Sequence, residues 1–300
     1  MTVTQTVAPD KMALFDLLLK KKGIAASRAP TTMPKRAESG PAPLSAAQKR
    51  IYSLHQLAPD SPAYNMTLAR YITGPLDVNA LEKSLNEIVR RHEVLRTTFP
   101  VVDGQPVQVI AETLMVSLKV VDLSAWADSQ REAEAPRLAT SMVQQPFDLA
   151  TGPLVRAELF RIHAEEHILV VVFHQIVFDG TSRGLFIREM SALYEAFWAG
   201  RNALPNLPIQ YADFAHWQQE RLQDDRLDTQ LTYWKGQLGL IHPMALPIDR
   251  PRPAGETFQG AVQSFVLPER LASALKTLSQ QEQSTLFMTL LLSSGPCFMG

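Results

Sequence analysis

The chain has 300 residues and a formal charge of −1; 46% of residues are hydrophobic and 20% charged. That length allows one large domain or two modest ones, and the balanced charge gives no footing for nucleic acid. No apolar run approaches the roughly 18 residues of a membrane span, and the single cysteine, Cys297, excludes an internal disulfide framework and suits a reducing cytoplasm.

Residues 1–43 read as a short helix and a tether. Pro9-Asp10 opens the helix, Leu14, Leu17 and Leu18 form its apolar face, Lys20 to Lys22 charge its end, and Gly23 closes it. "ALFDLLL" is too short and too charged for a secretory signal. The Pro-, Ala- and Ser-rich stretch that follows has the composition of a flexible linker.

From Leu44 the texture is α/β. "MTLARYITG" alternates as a strand does. "DVNALEKSLNEIVRRHEVL" is a predicted helix with Leu81, Leu85, Ile88 and Val89 on one face and an Asp or Asn start signal. "FPVVDGQPVQVI" is a hairpin turning at Asp103-Gly104, and "VSLKVVDL" is a further strand. "SQREAEAPRLATSMVQQ" is a helix that either continues through its proline or breaks there. "GPLVRAELFRI" and "HILVVVFH" are strands; the second is almost continuously apolar, as a sheet-centre strand should be. "SRGLFIREMSALYEAFWAG" is a helix ended by Gly200. "FQGAVQSFVLP" is expected to form a late strand and "ERLASALKTLSQQEQ" a late helix.

Two stretches invite a chemical reading. "HAEEH", His163 to His167, matches H-x-x-E-H, but that zinc pattern needs both histidines on one helix face. Here it joins two strands and suits a solvated turn. His92, His216 and His242 show no ligand spacing. In "VVFHQIVFDGTS" a buried strand ends at His174, and Asp179-Gly180 follows five residues later. His174 is either a core histidine or a site residue at a strand end. Asp179 is either a site residue or the cap of the next helix.

At this point the residues resemble those of the condensation domain of nonribosomal peptide synthetases. "LSAAQKRIYSL" (Leu44 to Leu54), "RRHEVLRTTF" (Arg90 to Phe99), "FHQIVFDGTS" and "YADFAHW" (Tyr211 to Trp217) look like four of that family's ordered motifs, and the third matches HHxxxDG at all but one position. The intervening text also fits, so the resemblance runs from Leu44 to about Leu291. It implies a chloramphenicol-acetyltransferase-like α/β fold, with an N-terminal subdomain over 44–215. The connecting segment and the start of the second subdomain would take 216–300. The implied reaction joins a donor acyl- or peptidyl-thioester to the amine of an acceptor aminoacyl-thioester. Both arrive on phosphopantetheine arms of peptidyl or acyl carrier proteins, beside neighbouring synthetase domains, with no cofactor, nucleic acid or membrane.

Carried over by position, His174 is the motif's first histidine, Asp179 its aspartate and Gly180 its glycine. The second histidine, the one the family places at the reacting centre, is Gln175. The resemblance further implies an arginine partner for Asp179, Arg96 or Arg183. An imidazole takes a proton near neutral pH, whereas a carboxamide only exchanges hydrogen bonds. Impaired or absent catalysis is therefore expected. The sequence is also expected to stop short of the family's second half. Ser293-Ser294-Gly295-Pro296 interrupts a helical pattern, and one codon choice for Ser294 to Gly300, re-read in a shifted frame, resembles the family's continuation of that helix. A frameshift or premature stop is the expectation, and Leu271, Leu275, Leu278, Leu286 and Leu290 are expected to be exposed. Two other functions fit the sequence: a non-catalytic carrier-binding module, and a stand-alone acyltransferase acting on free or CoA-linked thioesters.

Overall fold

The computed structural model describes residues 33–36, 40–201, 204–221, 225–239, 241 and 263–294. The predicted N-terminal helix, most of the tether, His242, Cys297 and the tail beyond Ser294 lie outside the described residues. The chain divides into two compact units, Met1–Arg226 and Leu227–Gly300.

The first unit is built on a mixed sheet of four strands. These are β2 (Asn65–Thr73), β6 (Leu118–Asp122), β7 (Val155–His163) and β8 (Glu166–His174), in the order β2-β8-β7-β6. β8 lies between two antiparallel neighbours, and Val171, Val172 and Phe173 are sealed from solvent. A strand flanked on both sides needs apolar residues on both faces, which is why this run does not alternate. β6 and β7 are parallel, so a crossover must join them. Helix α3 (Asp128–Gln144) supplies it.

Of the two outcomes at Pro136 the structure takes continuation, and α3 runs through it. Proline removes one amide donor and crowds the preceding turn. Buried Arg131 and Ala135 upstream and Met142 downstream hold the two halves on one helix. The H-x-x-E-H stretch is the turn between β7 and β8, with His163 and Glu166 paired across it.

Helix α2 (Val78–Arg91) is capped by Asp77, whose carboxylate accepts the Ala80 amide at 3.0 Å. Its buried face is the predicted one, Leu81, Leu85, Ile88 and Val89. It packs on α4 (Gly180–Trp198), which buries Phe186, Met190 and Leu193. Gly200, at φ 65°, follows the end of α4.

Beside this lies a small set of short strands: β1 (Ala42–Pro43), β3 (Thr97–Thr98), β4 (Val101–Val102) and β5 (Gln105–Ile110), with β5 at its centre. β4 and β5 turn on Asp103 and Gly104 at φ 50° and 76°, the positive pair a two-residue hairpin requires. Helix α1 (Ala46–Leu57) and helix α5 (Tyr211–Arg221) complete the unit. α5 crosses the expected boundary at 215/216 as one continuous helix. Helix α6 (Asp225–Leu238), which no sequence signal singles out, begins at the junction of the two units.

In the second unit, α7 (Glu269–Gln281) and α8 (Leu286–Ser294) pack on each other, with Ser279 and Thr289 hydroxyls 2.7 Å apart. The late strand is not formed where it is described. Residues 263–268 make no ladder, since no strand among the described residues takes their backbone groups, and Phe265 and Val266 are exposed. Leu271, Leu278, Leu286 and Leu290 are exposed as expected, while Leu275 is half-buried.

Candidate functional site

The site forms where β8 ends. The His174 amide donates to the Leu154 carbonyl at 3.1 Å, and the Gln175 amide donates to Tyr64 at 2.8 Å. The backbone is thus clamped toward β7 on one side and toward the Pro62–Tyr64 turn before β2 on the other. The Val177 amide donates back to the His174 carbonyl at 3.0 Å and closes a turn. The loop then reaches Asp179, the cap of α4.

His174 and Gln175 take opposite environments. His174 is 2% exposed and packed among His55, Tyr64 and Phe147, with the His55 ring 5.2 Å away and edge-on. Its Nδ1 accepts the Ile176 amide at 3.1 Å, so the neutral ring carries its proton on Nε2. Burial first, and the nearby His55 second, pull its pKa down to about 3. Gln175 is half-buried and lines a cleft of about 360 Å³ with Gln48, Arg50, Val94, Asp179 and Tyr211. Its carboxamide makes no hydrogen bond to a described residue.

Among the described residues Asp179 has no ion-pair partner. It accepts the Ser182 amide at 2.8 Å and the Ser182 hydroxyl at 2.6 Å, and these bonds hold its carboxyl below the ordinary 3.8. The two arginines expected beside it are engaged elsewhere. Arg183 donates to the Thr67 carbonyl of β2 at 2.8 Å. Arg96 donates to the Ala111 carbonyl and sits 3.7 Å from Glu93. A carboxylate at a helix start is satisfied by local amides before any distant guanidinium reaches it. Gly180 opens α4, and a Cβ there would meet nothing within 4 Å.

The other motifs prove to be struts around this loop. Ser45 and Gln48 form a capping box on α1, with bonds of 3.1 and 3.0 Å. Ser45 also meets the Tyr211 hydroxyl at 3.0 Å, and Gln48 donates to Gln108 at 3.0 Å. Arg91 and His92 both hold Glu189 of α4, at 3.2 and 2.7 Å. Arg36 bridges Glu93 and Asp213, at 2.7 and 3.2 Å. His55, which sequence reasoning misses, is buried against His174. Its spacing of four from Ile51 places both on the inward face of α1.

A proton-accepting imidazole is therefore absent from the residues lining the cleft. Its polar lining, Gln48, Arg50, Gln175, Ser182 and Tyr211, offers hydrogen-bond donors and acceptors, and the Asp179 carboxylate is already occupied by Ser182.

Comparison with known proteins agrees with the motifs. The condensation-domain profile matches residues 38–297. A linear gramicidin synthase from Brevibacillus parabrevis is 48% identical over 251 residues, 83% of this chain and 3% of that protein. Phosphinothricin tripeptide synthetase PhsC of Streptomyces viridochromogenes is 43% identical over 288 residues, 95% of this chain and 26% of that protein. Among solved structures, the complex of the X-domain and OxyB from teicoplanin biosynthesis aligns with a TM-score of 0.74 at 30% identity, over 86% of this chain and 56% of that one. The starter condensation domain of rhizomide synthetase RzmA aligns with a TM-score of 0.61 at 27% identity, over 67% of this chain and 48% of that one. The chain thus spans a small part of the curated relatives and about half of the solved chains it matches. On its motifs, its fold and these matches, this chain belongs to the condensation-domain family of nonribosomal peptide synthetases.

Proposed function

We propose that this chain is a carrier-directed portion of a condensation domain whose cleft orients its reactants and does not take a proton from them. In the family reaction an acceptor amine attacks the donor thioester carbonyl, the C–N bond forms, the C–S bond breaks, and the amine proton must leave. One observation carries the reading: the residue facing the cleft at the motif's second position is Gln175, while the imidazole beside it is sealed in the core. A carboxamide can hold an amine or a tetrahedral oxyanion in place, and orientation alone is worth about 7–11 kcal/mol. The missing general base costs roughly 10²–10⁴ in rate. Substrates arrive on the phosphopantetheine arms of carrier proteins, and the chemistry calls for no resident cofactor.

The test is amide formation between loaded donor and acceptor carrier proteins, with this chain joined to the second half of a related condensation domain. Gln175→His is expected to raise the rate by roughly 10²–10⁴. An unchanged rate overturns the assignment of Gln175 as the defect. A second reading is a non-catalytic recruiting module. The likeness to an X-domain solved in complex with OxyB favours it, and it predicts binding of a loaded carrier protein with no turnover by either variant.

A further inference from the structure

Two buried nitrogens at the site have no hydrogen-bond partner among the described residues: His174 Nε2 and His55 Nδ1. They belong to adjacent rings. Nε2 of His174 must be a donor, because Nδ1 of the same ring accepts the Ile176 amide. His55 is 5% exposed, and burial lowers its pKa despite the opposing pull of Asp148 and Asp60, so its ring is neutral and offers one acceptor nitrogen. A buried donor and a buried acceptor left apart are each costly, and native cores pair such groups.

Distance does not separate them. The ring centroids are 5.2 Å apart. A linear N–H···N bond of about 2.9 Å plus the radii of the two rings gives much the same separation. The planes are 89° apart and neither nitrogen has a partner as the rings stand, so the bond calls for a turn of the His55 ring while the Ile176 amide holds the His174 ring. The rest of the His55 ring opens on a second cavity of about 410 Å³, lined also by Tyr52, Phe147 and Asp148. With Nδ1 accepting, the His55 proton sits on Nε2.

We infer that His55 is a positioning residue: it accepts a hydrogen bond from His174 Nε2 and so fixes the ring that holds the Ile176 amide and the loop presenting Gln175 to the cleft. The inference rests on the reading of that cleft as the reaction site, but its test does not. Of the His55, Tyr64 and Phe147 rings packed on His174, His55 is the one that carries a ring nitrogen able to accept.

The experiment is ¹⁵N imidazole NMR on the intact chain, with no carrier or substrate present. The expected spectrum shows a slowly exchanging His174 Nε2 proton and a coupling across the hydrogen bond to His55 Nδ1. His55→Asn keeps an acceptor and is expected to retain the slow Nε2 proton and the protection of the Ile176 amide. His55→Leu removes it and is expected to lose the Nε2 signal and about tenfold of the Ile176 protection, with circular dichroism confirming the fold. A missing coupling in the native chain, or equal spectra for the Asn and Leu variants, overturns the inference. Because no turnover is measured, failure here is distinct from failure of the proposed function.

Discussion

Replacing Asp179 separates two accounts of the most charged position in the site. In the structure its carboxylate caps α4 through Ser182 and touches no guanidinium among the described residues. Asp179→Ala removes the cap, at about 1 kcal/mol, and the favourable charge at the helix start, at about 0.3–1 kcal/mol. Asp179→Asn keeps an equally good cap and loses only the charge, so it should cost under about 1 kcal/mol. An ion pair at this exposed position would behave otherwise: losing the charge would cost about 0–1 kcal/mol, and the same whether Asn or Ala replaces it. Urea denaturation of the three proteins, followed by circular dichroism, gives the numbers. The pH dependence supplies a second check. The folded carboxyl sits below its ordinary 3.8, so its stabilisation is present above that value and is lost as pH falls through the folded pKa. The native protein's advantage over Asp179→Asn should therefore vanish in acid. Equal losses for Asn and Ala would refute the capping account.

Other consequences follow from burial and backbone. Leu85→Ala, at a residue 1% exposed, should cost about 2–5 kcal/mol by the same denaturation, whereas Leu271→Ala, at a residue 47% exposed, should change stability by less than about 0.5 kcal/mol. Gly152→Ala should destabilise by about 1–2 kcal/mol, because φ there is +60° and a Cβ would meet Thr98 Cγ2 at 3.0 Å; a neutral result would contradict the described turn. The His174 pKa falls from 6.5 to about 3 on folding. Its neutral form is thus the one the fold binds, and that contribution is complete above pH 6.5 and lost progressively toward pH 3. His174→Phe should flatten the acid limb of the stability curve.

The elements governed by one strong local signal are legible in the sequence. The apolar run of β8, the face of α2 and the Asp103-Gly104 turn follow from side-chain period and turn chemistry. The motif order identifies the family and places Gln175, but it leaves His174 and Asp179 with two readings each. Only the fold decides between them, since it shows which groups reach the same space. The expected arginine partner of Asp179 is wrong because a serine three residues on satisfies the carboxylate first. α3 survives Pro136 because tertiary packing outweighs a local propensity. His55 escapes notice since its importance lies in the ring across from it on β8, a contact no spacing within α1 reveals.

The central proposal is that position 175, in the cleft where β8 ends, holds a residue unable to take a proton from a reacting amine. The pH–rate profile of amide formation between loaded carrier proteins tests it most directly, measured for the joined domain as it stands and as Gln175→His. The account predicts a faster variant whose rate gains a limb near the imidazole range, about pH 6.5, against a slow native chain without that limb. The same rate and the same profile for both would contradict it.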